Sequence, residues 1–218
     1  MTRIAAFDCD GTLICGDATR CFLLLLRGPV GLALDLCTLA PQLLSWRLGR
    51  CSTTQIKEAF LNRALQAAPL RRREAALREL PAMLVAQLRP QAVARLRWHQ
   101  QHGHRCLIIT ASPEPFIAAL ASHLGVELIA TGCSELHLVG PTKPLRLTTP
   151  NCKGAEKLHR LARHLGVLPP PDQLEAYGDS SGDRELLQAS GHPHWRSFSS
   201  IAVAYPQPNV NRWLPRQV

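Results

Sequence analysis

Short apolar runs that end in polar, glycine-bearing loops recur along this 218-residue chain. The first covers residues 4–7 and gives way to Asp8-Cys9-Asp10-Gly11-Thr12. The second, residues 105–110 (RCLIIT), is followed by Ala111-Ser112-Pro113. Residues 126–130 (VELIA), 174–177 (LEAY) and 201–205 (IAVAY) are of the same kind. Runs of this length bounded by turn residues predict buried strands. Between them, residues 91–102, 115–124, 155–165 and 184–189 carry helical periodicity. Each is followed closely by a glycine, namely Gly103, Gly125, Gly166 and Gly191. Glycine takes the left-handed conformation that ends many helices. Strands alternating with helices predict an α/β fold, a Rossmann-like doubly wound parallel sheet.

Residues 14–90 break the alternation. They are rich in Leu, Ala and Arg and hold no convincing strand. The expectation is a helical cap inserted after the first strand, with residues 1–13 and 91–218 forming the core domain. Residues 132–150, with Gly140-Pro141 inside, predict a β-hairpin excursion, and residues 206–218 an extended arm. Within the cap, residues 21–48 are strongly apolar but interrupted by Arg27, Pro29, Asp35 and Pro41. A spanning helix needs about 20 mostly apolar residues with few charges. The interruptions favour buried cap helices, with an amphipathic surface that touches a bilayer as the alternative.

Composition narrows the partners without choosing one. Apolar residues make up 46%, normal for a folded chain. The formal charge of +9, from 25 Lys and Arg against 16 Asp and Glu, favours anionic partners: phosphorylated metabolites, acidic headgroups or nucleic acid. Arg71-Arg72-Arg73 reads as a solvated helix face. Residues 95–99 (RLRWH) read as a packing helix, so no nucleic-acid partner is expected. None of the eight cysteines forms a C-x-x-C pair or a zinc spacing, which predicts free thiols in a reducing compartment. Cys9 lies between two carboxylates that would raise its pKa, and reads as a spacer. The apolar stretch before Asp8 is too short for a signal segment. The expected location is the cytoplasm, with membrane association through the cap as a further possibility.

The candidate chemistry sits at strand ends. Ligands of doubly wound sheets bind beyond the carboxyl ends of the strands, where Asp8, Thr110 and Asp179 are all predicted to fall. In the loop after the first strand, one of Asp8 and Asp10 can attack while the other handles protons. A D-x-D-G sequence also opens calcium loops, but the further ligands and terminal Glu are absent. The loop Gly178-Asp179-Ser180-Ser181-Gly182-Asp183 offers carboxylates to a hard cation such as Mg²⁺. Asp183 serves equally well there as a helix cap. Lys153 and Lys157, four residues apart, share a helix face, and both can point at the site.

The order strand–DxDGT, strand–Thr, Lys and then GD-x-x-x-D resembles the haloacid dehalogenase-like superfamily over nearly the whole chain. The cap's place between the first two motifs resembles the phosphoserine-phosphatase-like branch. The resemblance implies a Mg²⁺-dependent phosphomonoester hydrolase working through an aspartyl-phosphate. Asp8 would be the nucleophile and Asp10 the general acid–base, its backbone carbonyl on the metal. Thr110 and Ala111 would hold the phosphoryl group. Asp179 would complete the metal site, with Asp183 supporting it from behind. The branch's Gly with a Lys three residues later favours Lys157 as the phosphate-binding lysine, with Lys153 as the alternative. Two departures put serine phosphate in doubt as substrate: Gly182 stands where Asn is typical, and Thr110-Ala111-Ser112 where Ser-Gly-Gly is typical. The expected partner is a phosphorylated metabolite. Because the cap is Leu-rich with Arg20, Arg27, Arg47 and Arg50, a lipid phosphate such as phosphatidylglycerophosphate is the alternative. A phosphotransferase using the same nucleophile is a further one.

Overall fold

The computed structural model describes residues 2–134 and 144–198. Five strands form one sheet: β1 (Ile4–Phe7), β2 (Arg105–Pro113), β3 (Glu127–Thr131), β4 (Leu174–Gly178) and β5 (His192–Trp195). They are all parallel, in the order β3-β2-β1-β4-β5. Side chains alternate across a strand, and here both sets are buried. Ala5, Phe7, Cys106, Ile108 and Tyr177 enter one apolar cluster, and Ile4, Ala6, Leu107, Ile109 and Ala176 the other. Burial on two faces is why these strands read as continuous apolar runs. Helices α5 (Pro90–Gln101) and α6 (Glu114–Leu124) supply Ala92, Leu96, Phe116 and Ile117 to the first cluster. Helices α7 (Ala155–Leu165) and α8 (Arg184–Ala189) supply Leu161, Leu186 and Leu187 to the second.

Between β1 and α5 stand four helices: α1 (Ala18–Thr38), α2 (Ala40–Arg47), α3 (Thr53–Ala67) and α4 (Leu70–Ala86). The chain enters and leaves this insertion by two strips running side by side. Ile14 bridges Leu88, the Cys15 N–H donates to the Gln87 carbonyl (2.9 Å), and that of Arg89 to the Leu13 carbonyl (2.8 Å). Helix α1 is kinked at Gly28, whose φ of 66° is followed by Pro29.

Several expectations change. The run 201–205 and the tail 206–218 lie outside the described residues. The fifth strand of the described sheet is instead His192–Trp195, a polar edge strand, where a Pro is tolerated because one side needs no partner. Residues 135–143 of the expected hairpin also lie outside. Its flanks meet through an antiparallel bridge between Cys133 and Leu147. Gly103, Gly125 and Gly166 take the left-handed conformation at the ends of α5, α6 and α7 (φ 70°, 66° and 83°), whereas α8 ends at Ser190 and Gly191 does not adopt it. Arg73 is not part of a solvated face: it is buried, and its Nε donates to the Ala68 carbonyl at 3.0 Å. The described cysteines are free thiols.

Candidate active site

Asp8 is still attached to the sheet, its N–H donating to the Tyr177 carbonyl at 2.9 Å. The chain then turns sharply, the N–H groups of Leu13 and Ile14 returning to the Cys9 carbonyl at 2.9 and 3.1 Å. Gly11 makes this turn at φ 78°, and a Cβ there would lie 2.3 Å from Asp179 Oδ2. Only glycine lets the first acidic loop approach the second this closely. β4 delivers Asp179 directly after Gly178, beside β1.

Lys157, projecting from the first turn of α7, joins these loops. Its ammonium donates to Asp8 Oδ1 (2.6 Å), Asp183 Oδ1 (2.6 Å) and the Ile109 carbonyl (2.8 Å). Burial opposes that charge, yet the Asp8 and Asp183 carboxylates hold its pKa above the ordinary lysine value. The alternative lysine lies elsewhere. Lys153 is exposed, and its stem runs over Gly182, where an added Cβ would meet its Cγ at 2.7 Å. The glycine that departs from the branch's usual Asn makes room for that stem.

Asp10 is held from both sides, accepting from the Ala18 N–H (2.8 Å) and from Ser112 Oγ (2.6 Å). Burial, reinforced by Asp17, pushes its carboxyl up to about 6. Asp8 is pushed up to about 8, chiefly by burial and further by Asp183 and Asp10, against the pull of Lys157. Asp179 is raised by burial and by Asp183. Thr110 is fully buried, and its hydroxyl oxygen accepts from the Ser112 N–H at 3.1 Å. The Ala111 carbonyl accepts from Thr131 Oγ1 (2.9 Å) and from Lys57 Nζ (2.8 Å).

The donor set fits a divalent cation. Oxygens of Asp8, Asp179 and Asp183 converge within 4.8 Å of one another. Asp183 is already engaged: its Oδ2 accepts from the Asp179 N–H, the Ser180 N–H and Ser180 Oγ. Asp179 accepts a long 3.5 Å contact from Thr12 Oγ1. Three carboxylates against one ammonium leave uncompensated negative charge, which a hard, oxygen-seeking ion would neutralise. A second convergence, His99, His104 and Glu175, differs in kind. Glu175 accepts from Arg95 (3.0 Å) and Tyr177 (3.0 Å), and His99 faces the Tyr177 hydroxyl at 2.9 Å, so these groups satisfy one another.

The structure brings together Asp8, Asp10, Thr110, Ala111, Lys157, Asp179 and Asp183. It adds Ser112 and Lys57, which the sequence reading missed. Ser112 was accessible from its spacing, two residues beyond Thr110. Nothing marked Lys57, which sits in an ordinary amphipathic helix yet reaches Ala111 and Asn151 Oδ1 (3.3 Å). Burial lowers its ammonium pKa, a cost that Asp17 and Asp10 partly offset.

A parallel sheet with paired acidic loops at its carboxyl edge places the chain among the doubly wound α/β proteins, which bind their ligands beyond the carboxyl ends of the strands. A family model described as haloacid dehalogenase-like hydrolase matches residues 5–188, and the chain belongs to that family. The protein CicA of two Caulobacter vibrioides strains is 32% identical over 200 residues, covering 89% of this chain and 86% of that one. A solved Bordetella pertussis protein of unknown function is 25% identical, covers 87% of each chain and superposes with a TM-score of 0.68. A substrate-bound phosphoserine phosphatase shares the fold (TM-score 0.59, 15% identity, 88% of this chain and 84% of that one).

Proposed function

We propose that this chain is a phosphomonoester hydrolase that forms an aspartyl-phosphate on Asp8, with Mg²⁺ as cofactor. The observation that carries the reading is the grip of Lys157 on Asp8 and Asp183, beside an Asp10 positioned by Ser112 and Ala18. An Asp8 oxygen attacks phosphorus as the bond to the leaving oxygen breaks. Asp10, held by Ser112 and the Ala18 N–H, gives its proton to that oxygen. It then takes a proton from the water that attacks the phosphoryl group, breaking the bond to Asp8 and releasing inorganic phosphate. Splitting hydrolysis into two displacements makes each easier. Lys157, Thr110 and the loop amides orient the phosphoryl group and balance its charge. Asp8, Asp179 and the Asp10 backbone carbonyl would hold Mg²⁺, which when bound neutralises charge on the phosphoryl oxygens.

Residues 14–90 act as a cap over this edge, and Lys57 is the cation that the cap contributes. A cation there suits a metabolite whose leaving group is itself anionic. The apolar surface of α1 and α2 favours a second reading, a lipid phosphate. The test is phosphate release from soluble phosphomonoesters and from phosphatidylglycerophosphate in detergent, with and without Mg²⁺, beside Asp8→Asn. Turnover that requires both Mg²⁺ and Asp8 is expected, and the best substrate decides between metabolite and lipid. Turnover that survives Asp8→Asn would overturn the nucleophile.

A further inference from the structure

The distal half of α1 and the whole of α2 present apolar side chains to solvent. Val30 is 73% exposed, Leu34 59%, Leu36 44%, Leu44 58%, Trp46 43% and Leu48 58%. From Gly28 to Gly49 the chain has two charged residues, Asp35 and Arg47, and Asp35 is fully buried. Apolar exposure this concentrated on two successive helices of a folded chain marks an interaction site.

Charge selects what covers it. Between Asp17 and Glu58, Asp35 is the sole acidic residue, while Arg20, Arg27, Arg47, Arg50 and Lys57 are basic. The buried carboxylate is taken up by Arg27 (2.8 Å) and Arg63 (3.3 Å), so the surface shows no negative charge of its own. Arg47 and Arg50 stand exposed at the far end of α2. Trp46 lies partly open with its indole N–H on Thr53 Oγ1 (3.3 Å), apolar on one side and polar on the other. Exposed Leu and Val, an interfacial Trp, flanking Arg and no carboxylate together match an anionic lipid surface.

We propose that the elbow formed by α1 and α2 docks on an anionic bilayer, lying within the headgroup layer. Helix α1 is long and apolar enough to cross a membrane by length and composition. Its first half, however, is committed to the fold: Ala18, Cys21, Phe22, Leu23 and Leu26 are buried, and the Ala18 N–H holds Asp10. The helix therefore lies on the membrane and does not span it. Because the first residue of α1, Ala18, holds Asp10 through its N–H, docking the distal end of the helix fixes the catalytic edge relative to the lipid surface. The proposal does not depend on the phosphatase reading.

The test is co-sedimentation of the full chain with phosphatidylcholine vesicles, with and without phosphatidylglycerol, at low and high salt. Binding is expected to the phosphatidylglycerol vesicles and to weaken as salt screens the arginines. L34E/L44E should lower the bound-to-free ratio by at least about tenfold. It should leave the far-UV circular dichroism and the cooperative melting transition unchanged, which shows that the variant folds. R47E/R50E should weaken binding at low salt and flatten the salt dependence. Absence of binding at low salt, or binding indifferent to both double variants, overturns the proposal. So does concentration-dependent self-association without vesicles that L34E/L44E abolishes, because a second copy would then be the occupant.

Discussion

Lys157 is 1% exposed and spends all three ammonium protons, on Asp8, Asp183 and the Ile109 carbonyl. No exposed lysine in its place could fix the nucleophile. Lys157→Ala should therefore reduce kcat by a factor of about 10²–10³, the usual loss of one positioned electrostatic partner. Lys153→Ala should leave kcat for a small soluble phosphomonoester within about threefold, and steady-state kinetics of the pair would expose an error in this assignment. The spacing of Gly154 and Lys157 already favoured the buried lysine, but the expectation that both lysines share a helix face fails, because α7 begins at Ala155 and leaves Lys153 before it. His99 makes a different kind of prediction. Burial lowers its pKa to about 4 from 6.5, so the folded state binds fewer protons than the unfolded one. Its contribution to stability is complete above pH 6.5 and is lost as pH falls toward 4. Urea unfolding across that window should show stability falling by on the order of 2 kcal/mol. His99→Gln should flatten the slope, and an unchanged slope would assign it to other groups.

Helix α1 shows how an element can be read correctly in kind and incompletely in structure. Arg27, Pro29 and Asp35 appear in the sequence as interruptions of an apolar run. In the fold they make a clamped kink: Gly28 turns the backbone, and Arg27 reaches forward to Asp35 (2.8 Å) and across to the Ala67 carbonyl (3.1 Å) at the end of α3. Asp35→Ala would remove the counter-charge from a largely buried arginine. The expected loss is about 1–3 kcal/mol, discounted because Arg27 keeps some contact with water. Hydrogen exchange should rise in α1 and α3 while β1 and β4 stay protected. Uniform loss of protection would mean that the insertion does not open independently of the sheet. Elsewhere legibility followed burial. Strands β1 to β4, apolar on both faces, announce themselves, whereas β5 is the edge sequence His192-Pro193-His194-Trp195 and carries no apolar pattern. The helical character of residues 14–90 was legible for the converse reason, since the apolar residues there run on through 21–48 and are not parted into short runs by glycine-bearing loops.

Over the whole molecule the charge is divided against itself: the chain is +9 overall, yet its sheet edge gathers Asp8, Asp10, Asp179 and Asp183. The fold and the order of these loops were legible because sheet topology requires ligands at the carboxyl edge, and the motifs sit at strand ends. A contact supplied by a distant part of the chain, such as that of Lys57, depends on tertiary approach and left little trace, whereas Ser112 could have been read from its place two residues beyond Thr110. The positive exterior draws an anionic substrate toward an edge that repels it until a cation is in place. Held apart from its cation, that edge is a source of instability, because burial and Asp183 both raise the Asp179 pKa. Asp179→Asn keeps the shape and removes one charge. In chelator, the variant should therefore melt about 2–4 °C above the native protein, as expected for a gain near 1 kcal/mol at this size. Added Mg²⁺ should raise the native melting temperature by binding the folded state, and should do so far less for the variant. Turnover should be lost in the same variant, so that the carboxylate costing stability is the one that binds the ion. Melting curves with and without Mg²⁺ decide the matter. If the variant melts below the native protein in chelator, the carboxylates do not repel one another as described. If it keeps the full gain from Mg²⁺, the ion binds without Asp179.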